Sequence, residues 1–353
     1  MSVWPARSAV STEGSVQMQV IQNRRRFLAG MSAIGAVGLA GGHNSSAENA
    51  LLDTTTVRFT HTPATCNAPL YLAEELLRAD GFTGLTYVDV DAGVNTPMKM
   101  ANGEADFGFE FASAFVIAID AGAPVKVLGG LHAGCYELFA HEGITSVLGL
   151  KGKRIGVGQN LKSDPYLFVS AMATHVGLDP RRDIDWVISA EAQPMQLFID
   201  GKVDAFLGFG TECQELRARK IGHSIVSGVL DPPWSQYFCC MLASSTKYVE
   251  DYPVATKRVL RAIFRAADLC TSHPERAARL MVDRGYAAHY EYALQALREI
   301  RYSAWREFDP EDSIRFFSLR LHENRMIESS PRKIIANGTD WRFVDELKRE
   351  LKT

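Results

Sequence analysis

One short pattern occurs twice in this 353-residue chain and constrains its fold more than any other feature. The first copy is Gly103-Glu104-Ala105-Asp106-Phe107-Gly108-Phe109-Glu110. The second, about a hundred residues on, is Gly201-Lys202-Val203-Asp204-Ala205-Phe206-Leu207-Gly208-Phe209. Each follows an apolar segment at helical spacing: Met98, Met100 and Ala101, then Met195, Leu197, Phe198 and Ile199. A glycine just past the last periodic residue takes the left-handed conformation that ends a helix. Two residues then turn, and the aspartate opens a short apolar strand. Acidic residues follow both strands, at Glu110 and Glu212. One helix–turn–strand unit used twice predicts two similar α/β lobes, each presenting a loop where ligands bind in open sheets.

The surrounding chain keeps the same grammar. Thr56 to His61 alternates with a β-branched bias and is expected to be the first strand. Asn67 then caps a helix that carries Pro69 in its first turn and stops at Gly81. Leu85 to Val90 reads as a strand, Asn95 to Ala101 as a helix, Ser113 to Ala121 as a helix and Pro124 to Gly130 as a strand. Tyr136 to His141 is expected to lead out of this lobe. A second βαβαβ unit runs from about residue 150 to about residue 228. Gln236 to Ala243 then returns as a strand to the first lobe, and the chain beyond Tyr252 reads as helical. Chain crossings between lobes are expected at His141 to Leu148 and at Gly228 to Trp234.

A formal charge of −3 provides no basic footprint for nucleic acid. The six cysteines are scattered and form no CxxC pair, so neither a disulfide scaffold nor a zinc site is expected. The nine histidines do not cluster with cysteines or carboxylates at metal-ligand spacing. Near the start, Asn23-Arg24-Arg25-Arg26-Phe27-Leu28-Ala29 precedes a Gly/Ala-rich apolar run from Gly30 to Gly42, and Ser45-Ser46-Ala47 suits a signal peptidase. Paired arginines before Phe-Leu and a weakly hydrophobic stretch resemble a twin-arginine export signal. Asn23 stands where that signal usually has Ser or Thr. Residues 1–50 are accordingly read as a signal peptide, with a periplasmic destination.

Taken in order, a leader, a Thr/His–Asn-Ala-Pro-Leu-Tyr loop, Gly-Glu-Ala-Asp-Phe-Gly, Leu-Lys-Gly-Lys-Arg-Ile-Gly-Val, Gly-Lys-Val-Asp-Ala and a helical tail form a series. That series resembles the periplasmic substrate-binding proteins of the nitrate/sulfonate/taurine class of ABC importers. The resemblance covers residues 54 to about 350. It implies a two-lobed periplasmic binding protein type II fold: two mostly parallel sheets, a central cleft and a helical C-terminal extension. Lobe one is then 54–145 with 235–353, and lobe two is 149–230. It further implies a monomer with no cofactor and no catalysis, which hands a small organic solute to an ABC permease and ATPase. Two alternatives remain: an enzyme like the thiamine-pyrimidine synthases that share this fold, and a ligand-sensing subunit for a receptor. Those synthases work inside the cell with pyridoxal phosphate on a lysine, and carry a clustered-cysteine motif that Cys239-Cys240 does not reproduce.

In that architecture the ligand sits between loops at the C-terminal ends of strands. The candidates in lobe one are Thr62, Cys66, Asn67 and Ala68, then Glu110, Phe111 and Ala112. In lobe two they are Asn160, Ser163, Asp164, Thr211 and Glu212, with Trp234 after the second crossing. Each has a plain structural alternative: helix capping for Asn67 and Asp164, first-turn carboxylates for Glu110 and Glu212, packing for Phe111 and Trp234. Cys66 is expected to be a bystander in its loop and not a nucleophile. Lys162 is the single basic residue in these loops, against Glu110, Asp164 and Glu212. Desolvating carboxylates without a cationic partner is costly. The loops therefore point to a ligand bearing N–H donors or positive charge.

Overall fold

The computed structural model describes residues 51–90, 93–189 and 193–351, so the segment expected to be an export signal lies outside the described residues. The first half builds β1 (Thr56–His61), α1 (Ala68–Ala79), β2 (Gly84–Asp89), α2 (Asn95–Ala101), β3 (Phe107–Phe111), α3 (Ala112–Asp120) and β4 (Val125–His132). The second comprises β5 (Tyr136–Ala140), β6 (Arg154–Gly158), α4 (Asp164–His175), β7 (Asp185–Ile188), α5 (Pro194–Ile199), β8 (Ala205–Phe209), α6 (Thr211–Arg219) and β9 (His223–Ser227). Then come β10 (Cys240–Ser245), α7 (Thr246–Asp251), α8 (Pro253–Ser272), α9 (Pro274–Asp283) and α10 (Tyr290–Glu299). The chain closes with α11 (Ala304–Glu307), α12 (Pro310–Glu323), α13 (Pro331–Gly338) and α14 (Arg342–Glu350).

The strands form two five-stranded sheets of matching topology, β2-β1-β3-β10-β4 and β7-β6-β8-β5-β9. In each, one strand runs antiparallel, β10 in the first and β5 in the second. Each antiparallel strand arrives from the other sheet, so the lobes exchange a strand. This moves the first crossing from the expected His141 to Leu148 to residues 133–135. Tyr136–Ala140 pairs with β8 and β9 and so already belongs to the second sheet.

The repeated pattern has a common structural cause. Gly103 and Gly201 adopt positive φ, +73° and +68°, just beyond α2 and α5. Their amides bond Met100 O and Phe198 O, while the next amides, Glu104 and Lys202, reach back to Lys99 O and Leu197 O. That pair of bonds is the Schellman helix stop, which satisfies carbonyls the helix leaves open. The chain then enters β3 or β8, central strands whose apolar residues are covered on both faces.

The cationic side of α8 is paired. Lys257 meets Glu346 and Glu350 at 2.8 and 2.6 Å, and Arg258 Nη1 donates to Asp80 O at 2.9 Å. Its apolar side is buried in the core of the first lobe. No helix among the described residues is long and apolar enough to cross a membrane.

Candidate functional site

The C-terminal ends of β1, β3 and β4 point toward those of β6 and β8. Phe111, ending β3, is central to this junction. Its ring lies 4.7 Å from Phe168 of α4, 5.5 Å from Phe209 of β8 and 6.5 Å from Tyr136 of β5. The lobes also approach through backbone. At Gly93 (φ +99°) an added Cβ would lie 2.8 Å from Lys162 O, so only glycine fits there. Hollows of about 530 and 520 Å³ open elsewhere, the first around Arg58, Asp106 and Tyr248 at the N-terminal edge of β1 and β3. Ligands of open α/β sheets bind at the opposite, C-terminal edge.

Two carboxyl groups from different lobes are buried at this junction, Glu110 with 5% and Asp164 with 3% of its surface exposed. Glu110 Oε2 accepts from the Gly93 amide and from Thr96 Oγ1, both at 2.8 Å, and Oε1 accepts from its neighbour's amide, Phe111 N, at 2.9 Å. Asp164 Oδ1 is buried without a partner. Burial raises the Glu110 pKa against these hydrogen bonds. Burial, then the charge of Glu110 and a hydrogen bond to it, raises Asp164 well above the usual carboxyl range. Like charges this close cannot both ionise. The donors surrounding Glu110 favour its ionised form, while burial and the charge of Glu110 favour the neutral form of Asp164. Among the described residues, neither pairs with a lysine or arginine.

The other sequence candidates divide around this pair. Ser163 precedes α4 at its N-cap position without a side-chain cap, its Oγ donating instead to Val157 O at 2.6 Å. Asn160 is exposed and Oδ1 accepts from Lys162 N at 2.8 Å. Asn67 makes no side-chain cap; its Nδ2 donates to Thr62 O at 3.3 Å, and Thr62 Oγ1 donates to Val90 O at 3.4 Å. Ala68 and Ala112 are fully buried at the first turns of α1 and α3. Thr211 opens α6 beside Gly210, where an added Cβ would lie 3.7 Å from Thr65 of lobe one.

Glu110 and Glu212 are not counterparts. Counting from Asp106 and Asp204, Glu110 matches Gly208, inside the strand. Glu212 sits in the first turn of α6 and accepts from Phe209 N at 3.0 Å, and burial raises its pKa to about 7. Trp234 lies apart: its ring contacts His175 at 5.6 Å and Phe316 at 5.5 Å. His175 ends α4, on the order of 16 Å along the helix from Asp164, so Trp234 packs lobe two against α12. Sequence reasoning missed Gly93 and Thr96, which hold Glu110, and Phe168 and Tyr136, which surround Phe111. Phe168 sits in a helix that is apolar nearly all round and so carries no local signal.

The expected separation of histidine from cysteine does not hold in space. The ligand atoms of Cys66, His132, Cys135 and Cys240 lie within 4.8 Å of one another. Cys239 Sγ adds contacts of 3.4 Å to Cys135 Sγ and to His132 Nδ1. Antiparallel pairing sets Cys240 opposite His132 and Phe111, which brings residues far apart in sequence to one sheet edge. All six cysteines are free thiols. Burial lowers the His132 pKa, but the neighbouring Cys239 and Cys66 outweigh it and raise it to about 10.

Two sheets of this topology with an exchanged strand and a junction between C-terminal strand edges define a periplasmic binding protein fold. The same fold occurs in the alkanesulfonate-binding protein of Xanthomonas axonopodis pv. citri bound to MOPS, with TM-score 0.66 and 18% identity over 82% of this chain and 99% of that one. It occurs in the periplasmic nitrate-binding protein of Synechocystis PCC 6803, with TM-score 0.73 and 13% identity over 85% and 90%. A Candida albicans gene product described as having the generic periplasmic binding protein fold matches with TM-score 0.63 and 15% identity over 81% and 96%. The sequence itself matches the family described as NMT1/THI5 like across residues 84–277, more than half the chain, and belongs to it. No curated protein sequence matches.

Proposed function

We propose that this protein is exported to the periplasm, captures a small organic solute between its lobes and delivers it to an ABC importer. The solute offers N–H donors or a positive charge to Glu110 and Asp164. The carrying observation is that these buried carboxyls, one from each lobe, pair with no lysine or arginine among the described residues. Charge-assisted bonds from an amine or amidine would let both ionise and would bridge the lobes. Thr62, Asn67, Ser163 and Thr211 lie on neighbouring loops and would supply further polar contacts on a more open cleft. Two of the structurally similar proteins are named for binding alkanesulfonate and nitrate. An anion would instead place further negative charge beside this pair.

Thermal unfolding of the full chain against aminopyrimidines, polyamines, nitrate, taurine and alkanesulfonates tests this reading. A ligand at 100 times its Kd adds about 2.7 kcal/mol of stability, a shift of a few degrees at this length. An amine-bearing hit lost in Glu110→Gln supports the assignment. A nitrate or sulfonate hit that survives that substitution overturns the ligand chemistry and leaves the binding role.

A further inference from the structure

We propose that Cys66, His132, Cys135 and Cys240 form a closed binding site for a thiophilic divalent cation, with Zn2+ as occupant. Three thiolates and one imidazole are a complete tetrahedral donor set for zinc. The four donor atoms already lie within 4.8 Å of one another. Tetrahedral zinc with sulfur at about 2.3 Å holds its ligand atoms about 3.8 Å apart, so the widest pair closes by about 1 Å.

The second observation is the imidazole. His132 is fully buried and its Nε2 has no hydrogen-bond partner. Leaving a buried polar nitrogen unmet costs stability, and a metal–nitrogen bond would remove that cost. Its other nitrogen, Nδ1, lies 3.4 Å from Cys239 Sγ, so Cys239 orients the ring from behind. Tyr302 packs edge-on against the imidazole at 5.3 Å and donates its hydroxyl to Cys66 O at 3.0 Å, holding the loop that carries the first sulfur.

Burial says what kind of site this is. Cys135 and Cys240 are buried, and Cys66 is the half-buried member on the loop before α1. Four protein ligands, three of them buried, describe a structural site. The cation would tie that loop to both inter-lobe crossings, since Cys135 lies on the first and Cys240 follows the second. Sequence spacing hides it because only His132 and Cys135 are neighbours along the chain.

The test needs no solute. The full chain is stripped of metal under reducing conditions and titrated with Co2+, then Zn2+. One equivalent of Co2+ should give a thiolate-to-cobalt charge-transfer band and the strong visible bands of tetrahedral cobalt, both abolished by Zn2+. Cys135→Ala/Cys240→Ala should lose these bands, and His132→Gln should weaken metal binding by about tenfold or more. Cys270→Ala, whose thiol lies in α8, should keep them. Where the double variant fails to fold, Cys66→Ser at the half-buried position serves instead. Absence of the charge-transfer band in a folded protein with six reactive thiols overturns the proposal. So does its persistence in the cysteine variants, or a Cys135–Cys239 disulfide in protein isolated without reductant.

Discussion

Arg58 and Asp106 clasp one another across neighbouring strands. The Arg58 amide and Nε donate to Asp106 Oδ2 at 2.8 and 3.1 Å, and Nη2 donates to Oδ1 at 2.7 Å. Arg154 and Asp204 repeat the arrangement in the second sheet, at 2.8, 3.2 and 2.8 Å. In both, another guanidinium bond reaches the helix-stop glycine, Gly103 O at 2.7 Å or Gly201 O at 3.1 Å. The aspartate of the repeated pattern thus pins helix end, turn and strand start to the first strand of its lobe.

Asp106→Ala is expected to cost about 2 kcal/mol and Asp204→Ala about 1 kcal/mol, because bonds to charged groups weaken as solvent reaches them. The Asp106 side chain is 12% exposed and that of Asp204 27%. Urea unfolding midpoints measure both. Equal losses would show that burial does not set the difference.

The Glu110–Asp164 pair makes stability fall as pH rises. Both folded pKa values are raised above their unfolded ones. The fold therefore holds an extra proton above the unfolded carboxyl range, near pH 4, and loses stability with increasing pH from there. Asp164→Asn keeps a neutral side chain and should flatten that slope between about pH 4 and 7. Urea midpoints across this range decide it; an unchanged slope would show that Asp164 is not held neutral.

Glu212 should contribute in the same direction over its own window. Its pKa rises from an unfolded 4.5 to about 7, chiefly through burial. The neutral form is favoured in the fold, so its contribution is fully present below about pH 4.5 and lost as pH approaches 7. Glu212→Gln should leave stability nearly independent of pH at this site, and NMR titration of Glu212 locates the midpoint directly.

Arg217 of α6 joins the lobes. Its Nη2 meets Glu137 at 2.9 Å and Glu299 of α10 at 2.7 Å, and Gln214 Nε2 donates to the same Glu299 at 2.8 Å. Burial raises the Glu137 pKa while Arg217 opposes it. Arg217→Ala should favour the open arrangement by about 1 kcal/mol, a roughly fivefold weaker solute affinity. Small-angle scattering without solute should show a larger radius of gyration. An unchanged radius and affinity would make this clasp structurally neutral.

Much of this architecture was legible in the chain. The glycine-stopped helices, the aspartates and the apolar strands are local signals: helix period, left-handed glycine and β-branching act within a few residues. They fixed two lobes, the strand edges that face each other and the presence of Glu110 and Asp164 at those edges. Tertiary structure alone decided what local signals do not encode. Strand exchange assigned Tyr136–Ala140 to the second sheet, because pairing partners lie far along the chain. Burial set two carboxyls from different lobes against their charged forms, while Glu212 folded back onto its own helix start. Antiparallel β10 carried Cys240 to His132, a meeting set by register across the sheet and not by any spacing in sequence. Local conformational preference writes the elements; the desolvation and long-range pairing that follow from packing decide which side chains meet.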